Sequence, residues 1–187
     1  MAAAVPRATA TSKKESSRHH FDRWARRYES DPVSRRLATL QQAVIDALAL
    51  ERTDRLLDIG CGSGAAVRGA AASVALSVGV DLSTEMVARG RELAAGLSNV
   101  QLLEGDAEAL PFASGAFTAV LCTTSFHHYP RPECAVAEMA RVLAPAGRVA
   151  IADMTTDAHV MRIVDFLLRR SNQATWAATA RTTSSAC

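Results

Sequence analysis

The stretch Leu56-Leu57-Asp58-Ile59-Gly60-Cys61-Gly62-Ser63-Gly64 decides how this chain of 187 residues is read. Leu56 to Ile59 is a short apolar run holding one carboxylate, which suits a buried strand. Glycines follow at 60, 62 and 64, and Ala65-Ala66-Val67-Arg68 then suits a helix. A strand that turns through glycines into a helix brings free backbone N–H groups to one point, and no Cβ blocks a ligand's approach. Alone the turn also fits the Gly-x-Gly-x-x-Gly/Ala fingerprint of dinucleotide enzymes. Asp58 discriminates between ligands. A carboxylate at the end of a buried strand needs a partner. An ammonium group would serve, directly or through water, whereas a pyrophosphate would be repelled.

Outward from this turn the pattern alternates strand and helix. Strands are predicted at 74–80, 100–103, 117–122 and 148–152. Helices are predicted at 65–72, after the cap residue Ser83, at 131–143 and at 158–170. Residues 145–147 read as a turn. Toward the start, Phe21, Trp24, Ala25 and Tyr28 share one helical face. Asp31-Pro32 punctuates the chain, and a second helix is predicted at 33–50. The fold expected is α/β: a Rossmann-like doubly wound parallel sheet with helices on both faces. Its parts are a disordered arm at 1–17, a helical cap at 18–50, the sheet domain at 51–170 and an atypical, disordered tail at 171–187. Ligands on such sheets bind at the carboxyl ends of the strands.

Composition bounds the function. Nearly half the residues (49%) are apolar, enough for one sizeable core. A net charge of +2 gives no argument for nucleic acid. The charge is uneven: nine basic against four acidic residues leave +5 up to Arg36, and therefore −3 beyond it. A basic arm of this kind could meet an acidic substrate or a membrane surface, but is ordinarily a solvated helix face. No stretch approaches the roughly 20 apolar residues of a membrane span, and the first residues lack the apolar core of a signal peptide. The cysteines at 61, 122, 134 and 187 have neither metal-ligand spacing nor disulfide density. The expectations are reduced cysteines, no metal and a cytoplasmic protein.

Two further motifs carry chemistry. Val78-Gly79-Val80-Asp81-Leu82-Ser83 places Asp81 at the end of the second strand, where a carboxylate can accept both hydroxyls of a ribose. The alternative, that Asp81 only caps the next helix, is weakened because Ser83 can do so. Glu104-Gly105-Asp106-Ala107-Glu108-Ala109-Leu110-Pro111-Phe112 follows the third strand, where an acceptor side chain and backbone N–H groups could read an adenine edge; taken alone, it reads equally well as an ordinary acidic loop.

Together the three motifs resemble class I S-adenosylmethionine-dependent methyltransferases, in the subgroup of ubiquinone/menaquinone C-methyltransferases and small-molecule methyltransferases. Phe117-Thr118-Ala119-Val120, Phe126-His127-His128 and Leu143-Ala144-Pro145-Ala146-Gly147-Arg148 extend the match, which covers about residues 21–153. The resemblance implies S-adenosyl-L-methionine as cofactor. It implies that Gly60 and Gly62 lie at the methionine end, that Asp81 binds the ribose and that Asp106 and Ala107 bind the adenine. Tyr28, Asp58, Cys61, Leu82, Met86, Glu108 and Thr123 complete the expected cofactor-binding set. The helix holding Tyr28 would close over the cofactor. Ala144 and Ala146 stand where the family usually has a basic residue and a glycine.

The family fold ends with two more strands. Residues 171–187 are rich in Ala, Thr and Ser and show no strand pattern. The expectation is that these strands are missing, through a truncation, a frame change or a divergent tail. The fifth strand would then be an open edge able to pair with a second chain. The activity implied is methyl transfer to a small-molecule acceptor. His127 or His128, after the fourth strand, could act as base or could merely shape the pocket. Two alternatives stand beside it: a catalytically silent cofactor-binding protein and an NAD(P)-dependent oxidoreductase.

Overall fold

The computed structural model describes residues 9–153. Five parallel strands form one sheet: β1 (Arg55–Ile59), β2 (Leu76–Asp81), β3 (Val100–Glu104), β4 (Phe117–Thr123) and β5 (Leu143–Ala152), in the order β3-β2-β1-β4-β5. The chain goes one way from β1 to β2 and β3, then returns to the other side for β4 and β5. That reversal opens a crevice above the carboxyl ends of β1 and β4.

Side chains alternate across the sheet. Leu57, Ile59, Val78, Val80 and Val120 pack on one face against Ala135, Met139 and Val142 of α5 (Pro132–Val142). On the other, Leu56, Ala119 and Leu121 meet Ile45 of α2 (Pro32–Ala47) and Ala66 and Ala70 of α3 (Ala65–Ala70). Val87 of α4 (Thr84–Leu93) joins Val67 and Leu102 beyond β2. Full burial of a leucine or isoleucine contributes about 1.5–3 kcal/mol, so these positions hold the strands in register. The doubly wound architecture is therefore as expected, helices lying on both faces.

The caps follow the chemistry of their residues. Ser83 accepts from the Met86 N–H at 3.1 Å, and Asp31 accepts from the Ser34 N–H at 3.0 Å with Pro32 in the first turn.

Two boundaries differ from expectation. Helix α1 (Ala10–Trp24) starts inside the segment expected to be disordered up to residue 17. Thr9 caps it, accepting from the Ser12 N–H at 3.3 Å, and Lys14 is anchored on the sheet domain. The turn at 145–147 falls within the span of β5: Phe117 pairs with Leu143 but Ala119 pairs with Arg148, so the intervening residues loop out. Cys61 and Cys122 are buried free thiols. Residues 1–8, the helix expected at 158–170 and the tail at 171–187 lie outside the described residues, and with them the expected loss of two strands and pairing of an open edge.

Candidate active site

Gly60 and Gly62 take positive φ, +72° and +53°, a region that L side chains enter at a cost. Space forbids a side chain at Gly60 as well: a Cβ there would strike the Ser125 side chain and come within 2.7 Å of the Tyr129 hydroxyl. The turn is fixed from both sides. The N–H groups of Gly60 and Cys61 donate to the Val80 carbonyl at 2.8 and 3.0 Å. Ser125 Oγ and the Tyr129 hydroxyl donate to the Ile59 carbonyl at 3.1 and 3.2 Å.

Asp81 closes the far side of the turn. Its Oδ2 accepts from the Gly62 N–H at 2.7 Å and its Oδ1 from the Ser83 N–H at 2.9 Å. Burial raises its pKa, while those two amides work in the opposite direction by favouring the anion. Each oxygen keeps a lone pair, and the residue lines the cleft.

Asp58 sits beneath the turn, fully buried, and neither carboxylate oxygen has a hydrogen-bond partner. Burial, with Asp81 nearby, pushes its pKa up to about 8. An unpaired buried carboxyl of this kind is costly unless it stays protonated or meets a cation.

The third wall is the segment after β3. Asp106 Oδ1 accepts from the Glu108 N–H at 2.9 Å. Lys14 of α1 reaches across to Asp106 Oδ2 at 2.6 Å and Glu108 Oε2 at 2.5 Å. Glu108 also takes the backbone N–H and Nε of Arg131, at 2.7 and 3.0 Å. Helix α1 thus lies over the cleft. Asp22 binds Ser83 Oγ at 2.6 Å, and Phe21 meets the His128 ring edge-on at 5.1 Å. Beyond α1, the Tyr28 ring stacks near Gly62, its hydroxyl pKa pushed up to about 12 by burial and by Asp81. Glu29 receives Ser63 Oγ and Arg68, pinning the cap to the start of α3.

The cleft gathers most of the residues expected from the sequence. Tyr28, Gly60, Gly62, Asp81, Leu82, Met86, Asp106, Ala107, Glu108, Thr123 and His128 all line it. Asp58, Cys61 and His127 are not on its wall. Cys61 turns its sulfur toward Gly79 beneath the turn. His127 is held by Asp153, its N–H at 2.6 Å and its Nδ1 at 2.7 Å from the carboxylate. That hydrogen bond raises its pKa. His128 is moved the other way, lowered by burial and by the neighbouring His127.

Sequence reading missed Lys14, Ser17 and Arg18, which line the cleft with Phe21. Their positions, 14, 17, 18 and 21, have the i, i+3, i+4, i+7 spacing of one helix face. The signal was present, but three of the four residues are polar and an apolar count passes over them.

Residues 57–151, the span from β1 to β5, match the family described as methyltransferase domain. This chain belongs to the methyltransferase domain family. The chain is 34% identical over 155 residues to a demethylmenaquinone methyltransferase of Beutenbergia cavernae, covering 81% of this chain and 63% of that protein. It is 35% identical over 129 residues to a 27-O-demethylrifamycin SV methyltransferase of Amycolatopsis mediterranei, covering 67% and 47%. The crystal structure of the YcgJ protein from Bacillus subtilis superposes with a TM-score of 0.59 at 34% identity, over 61% of this chain and 50% of that one. The chain thus spans between about half and under two thirds of the length of these relatives. Among the described residues no group of side chains could hold a metal ion, and no helix is long and apolar enough to cross a membrane.

Proposed function

We propose that the cleft binds S-adenosyl-L-methionine and that the protein transfers its methyl group to a small-molecule acceptor. The observation that carries this reading is the turn at Gly60–Gly62, with the unpartnered Asp58 carboxylate beneath it and Asp81 beside it. Such a site wants a cation at one end and a diol at the other. The methionine ammonium would satisfy Asp58, directly or through water, and the ribose would take the remaining lone pairs of Asp81. Asp106, Ala107 and Glu108 would hold the adenine end, and Tyr28 would cover the methionine end. A pyrophosphate would meet the buried Asp58 carboxyl at this turn, which disfavours a dinucleotide.

When bound, S-adenosylmethionine supplies a methyl group already activated for in-line displacement. The protein's share is then alignment and exclusion of water, and orientation of this kind is worth about 7–11 kcal/mol. Helix α1 lies over the cleft, held by Lys14 and Asp22. Of the two histidines, His128 is the one placed to take a proton from an acceptor. It lines the cleft, and its lowered pKa keeps it neutral at pH 7. His127, tied to Asp153, positions the pair. A cytoplasmic location accords with this chemistry.

The experiment is turnover against a panel of phenols, naphthols and amines with S-adenosylmethionine, followed by S-adenosylhomocysteine release. Methylation of any panel member supports the reading. S-adenosylhomocysteine binding without turnover on any acceptor would favour the silent binding protein instead.

A further inference from the structure

We infer that Arg18 reads an anionic oxygen on the methyl acceptor, so that the acceptor class is an aromatic acid or an acidic phenol. The inference rests on the methyltransferase reading of the cleft and adds the substrate chemistry.

The charges of the cleft wall are otherwise accounted for. Lys14 is paired with Asp106 and Glu108, and Arg131 with Glu108. Asp81 is held by two backbone amides. Arg18 lines the same cleft, yet its Nε is buried without a hydrogen-bond partner, and among the described residues it makes no ion pair. A buried guanidinium donor left without an acceptor is costly, and the planar fork of arginine suits a carboxylate or a phenolate.

Position along α1 says which ligand would supply the acceptor atom. Lys14 marks the adenine end through Asp106. Arg18 is one turn further on. Phe21 follows on the same face and packs against His128, the side where an acceptor must approach. Tyr28, which marks the methionine end at Gly62, lies beyond the end of the helix. Arg18 therefore stands between the adenine end and the acceptor side. The Phe21 and His128 rings beside it offer apolar surface to a flat ring system. A flat ring carrying a negative oxygen meets both features.

The test uses the full chain and two probes of one shape, 2-naphthoate and the uncharged 2-naphthamide, titrated with and without saturating S-adenosylhomocysteine. Wild type should prefer the anion by about tenfold or more, the effect of one charge-assisted hydrogen bond. Arg18→Gln should abolish the preference, and Arg18→Lys should restore part of it. Equal affinity for the two probes in wild type, or no binding of either, overturns the inference. So does a preference that survives in Arg18→Gln. Titration of S-adenosylhomocysteine and of methylthioadenosine, which lacks the amino-acid end, separates the other source of a carboxylate. If Arg18→Gln weakens the first and spares the second, Arg18 serves the cofactor and the acceptor reading falls. If wild type prefers the anion but does not bind S-adenosylhomocysteine, the anion site stands and the methyltransferase reading fails.

Discussion

The Gly62 N–H donates to Asp81 Oδ2 at 2.7 Å, so the turn after β1 and the end of β2 form one unit. Asp81 is therefore a structural acceptor and a candidate ligand at once. Asp81→Ala removes any bonds to a ribose and leaves the Gly62 and Ser83 amides without their acceptor. Each charge-assisted bond is worth about 1.5–3 kcal/mol. S-adenosylhomocysteine affinity should fall by about 10- to 10⁴-fold, read by calorimetry. Equal affinity in the two proteins would remove the ribose assignment.

Asp58 gives an unusual pH signature. Its carboxyl is protonated in the folded protein up to about pH 8, whereas in the unfolded chain it ionises near pH 4. Between those values the folded state holds a proton that the unfolded state has lost, so stability declines as pH rises through this window. Asp58→Asn should flatten the decline in urea unfolding at pH 5 and pH 8. Pairing with an ammonium group would lower the pKa, so ligand binding at pH 7 should release a proton. Titrations in phosphate and in Tris should then give different observed enthalpies. Identical enthalpies would leave Asp58 outside the binding event.

The two histidines should separate on mutation. His128→Gln should lower turnover by about 10²–10⁴ with cofactor affinity unchanged, because this ring lines the cleft. Turnover should fall as pH drops through the lowered pKa of His128 and stay level above it. Losses of tenfold or less in both His127→Gln and His128→Gln would assign the pair a packing role.

Much of this was legible in the sequence, and the reasons are local. The glycines at 60 and 62, the carboxylate at 81 and the cap at Ser83 each follow from one residue's chemistry at one turn. The parallel sheet could be anticipated because parallel strands need long crossover connections, and helices join β1 to β2, β2 to β3 and β4 to β5. What was not legible depends on contacts distant in sequence. Lys14 is 92 residues from Asp106, and nothing near either announces the pair. The first half of α1, up to Ser17, looked like a disordered arm because it is rich in Ala, Ser, Thr and Lys. His127 and His128 are adjacent in sequence, yet only one reaches the cleft. The partner that turns the other away, Asp153, is 26 residues on.

Lys14 holds α1 down. Its ammonium meets Glu108, whose side chain is 1% exposed, so removing it leaves that carboxylate with Arg131 alone. Lys14→Met should loosen the helix by on the order of 1 kcal/mol. Amide exchange across Ala10–Trp24 should quicken about fivefold to tenfold, while β1 and β4 stay protected. Unchanged exchange in α1 would show that other contacts hold it.

Ala146 stands at φ +61°, in the region that favours glycine. Ala146→Gly should relieve about 1 kcal/mol of backbone strain, partly offset by the freer unfolded chain. The net gain is then below about 1 kcal/mol, and the melting temperature should rise by about 1–2 °C. A fall would mean that the alanine methyl makes a contact worth more than the strain.

The central claim is that the cleft takes a nucleoside bearing an amino acid and rejects a dinucleotide. Parallel calorimetric titrations of the full chain with S-adenosylhomocysteine and with NADH test it most directly. Saturable binding of one S-adenosylhomocysteine per chain, weakened by Asp81→Ala, is expected, with no measurable binding of NADH. Binding of NADH without S-adenosylhomocysteine, or of neither ligand, would contradict it.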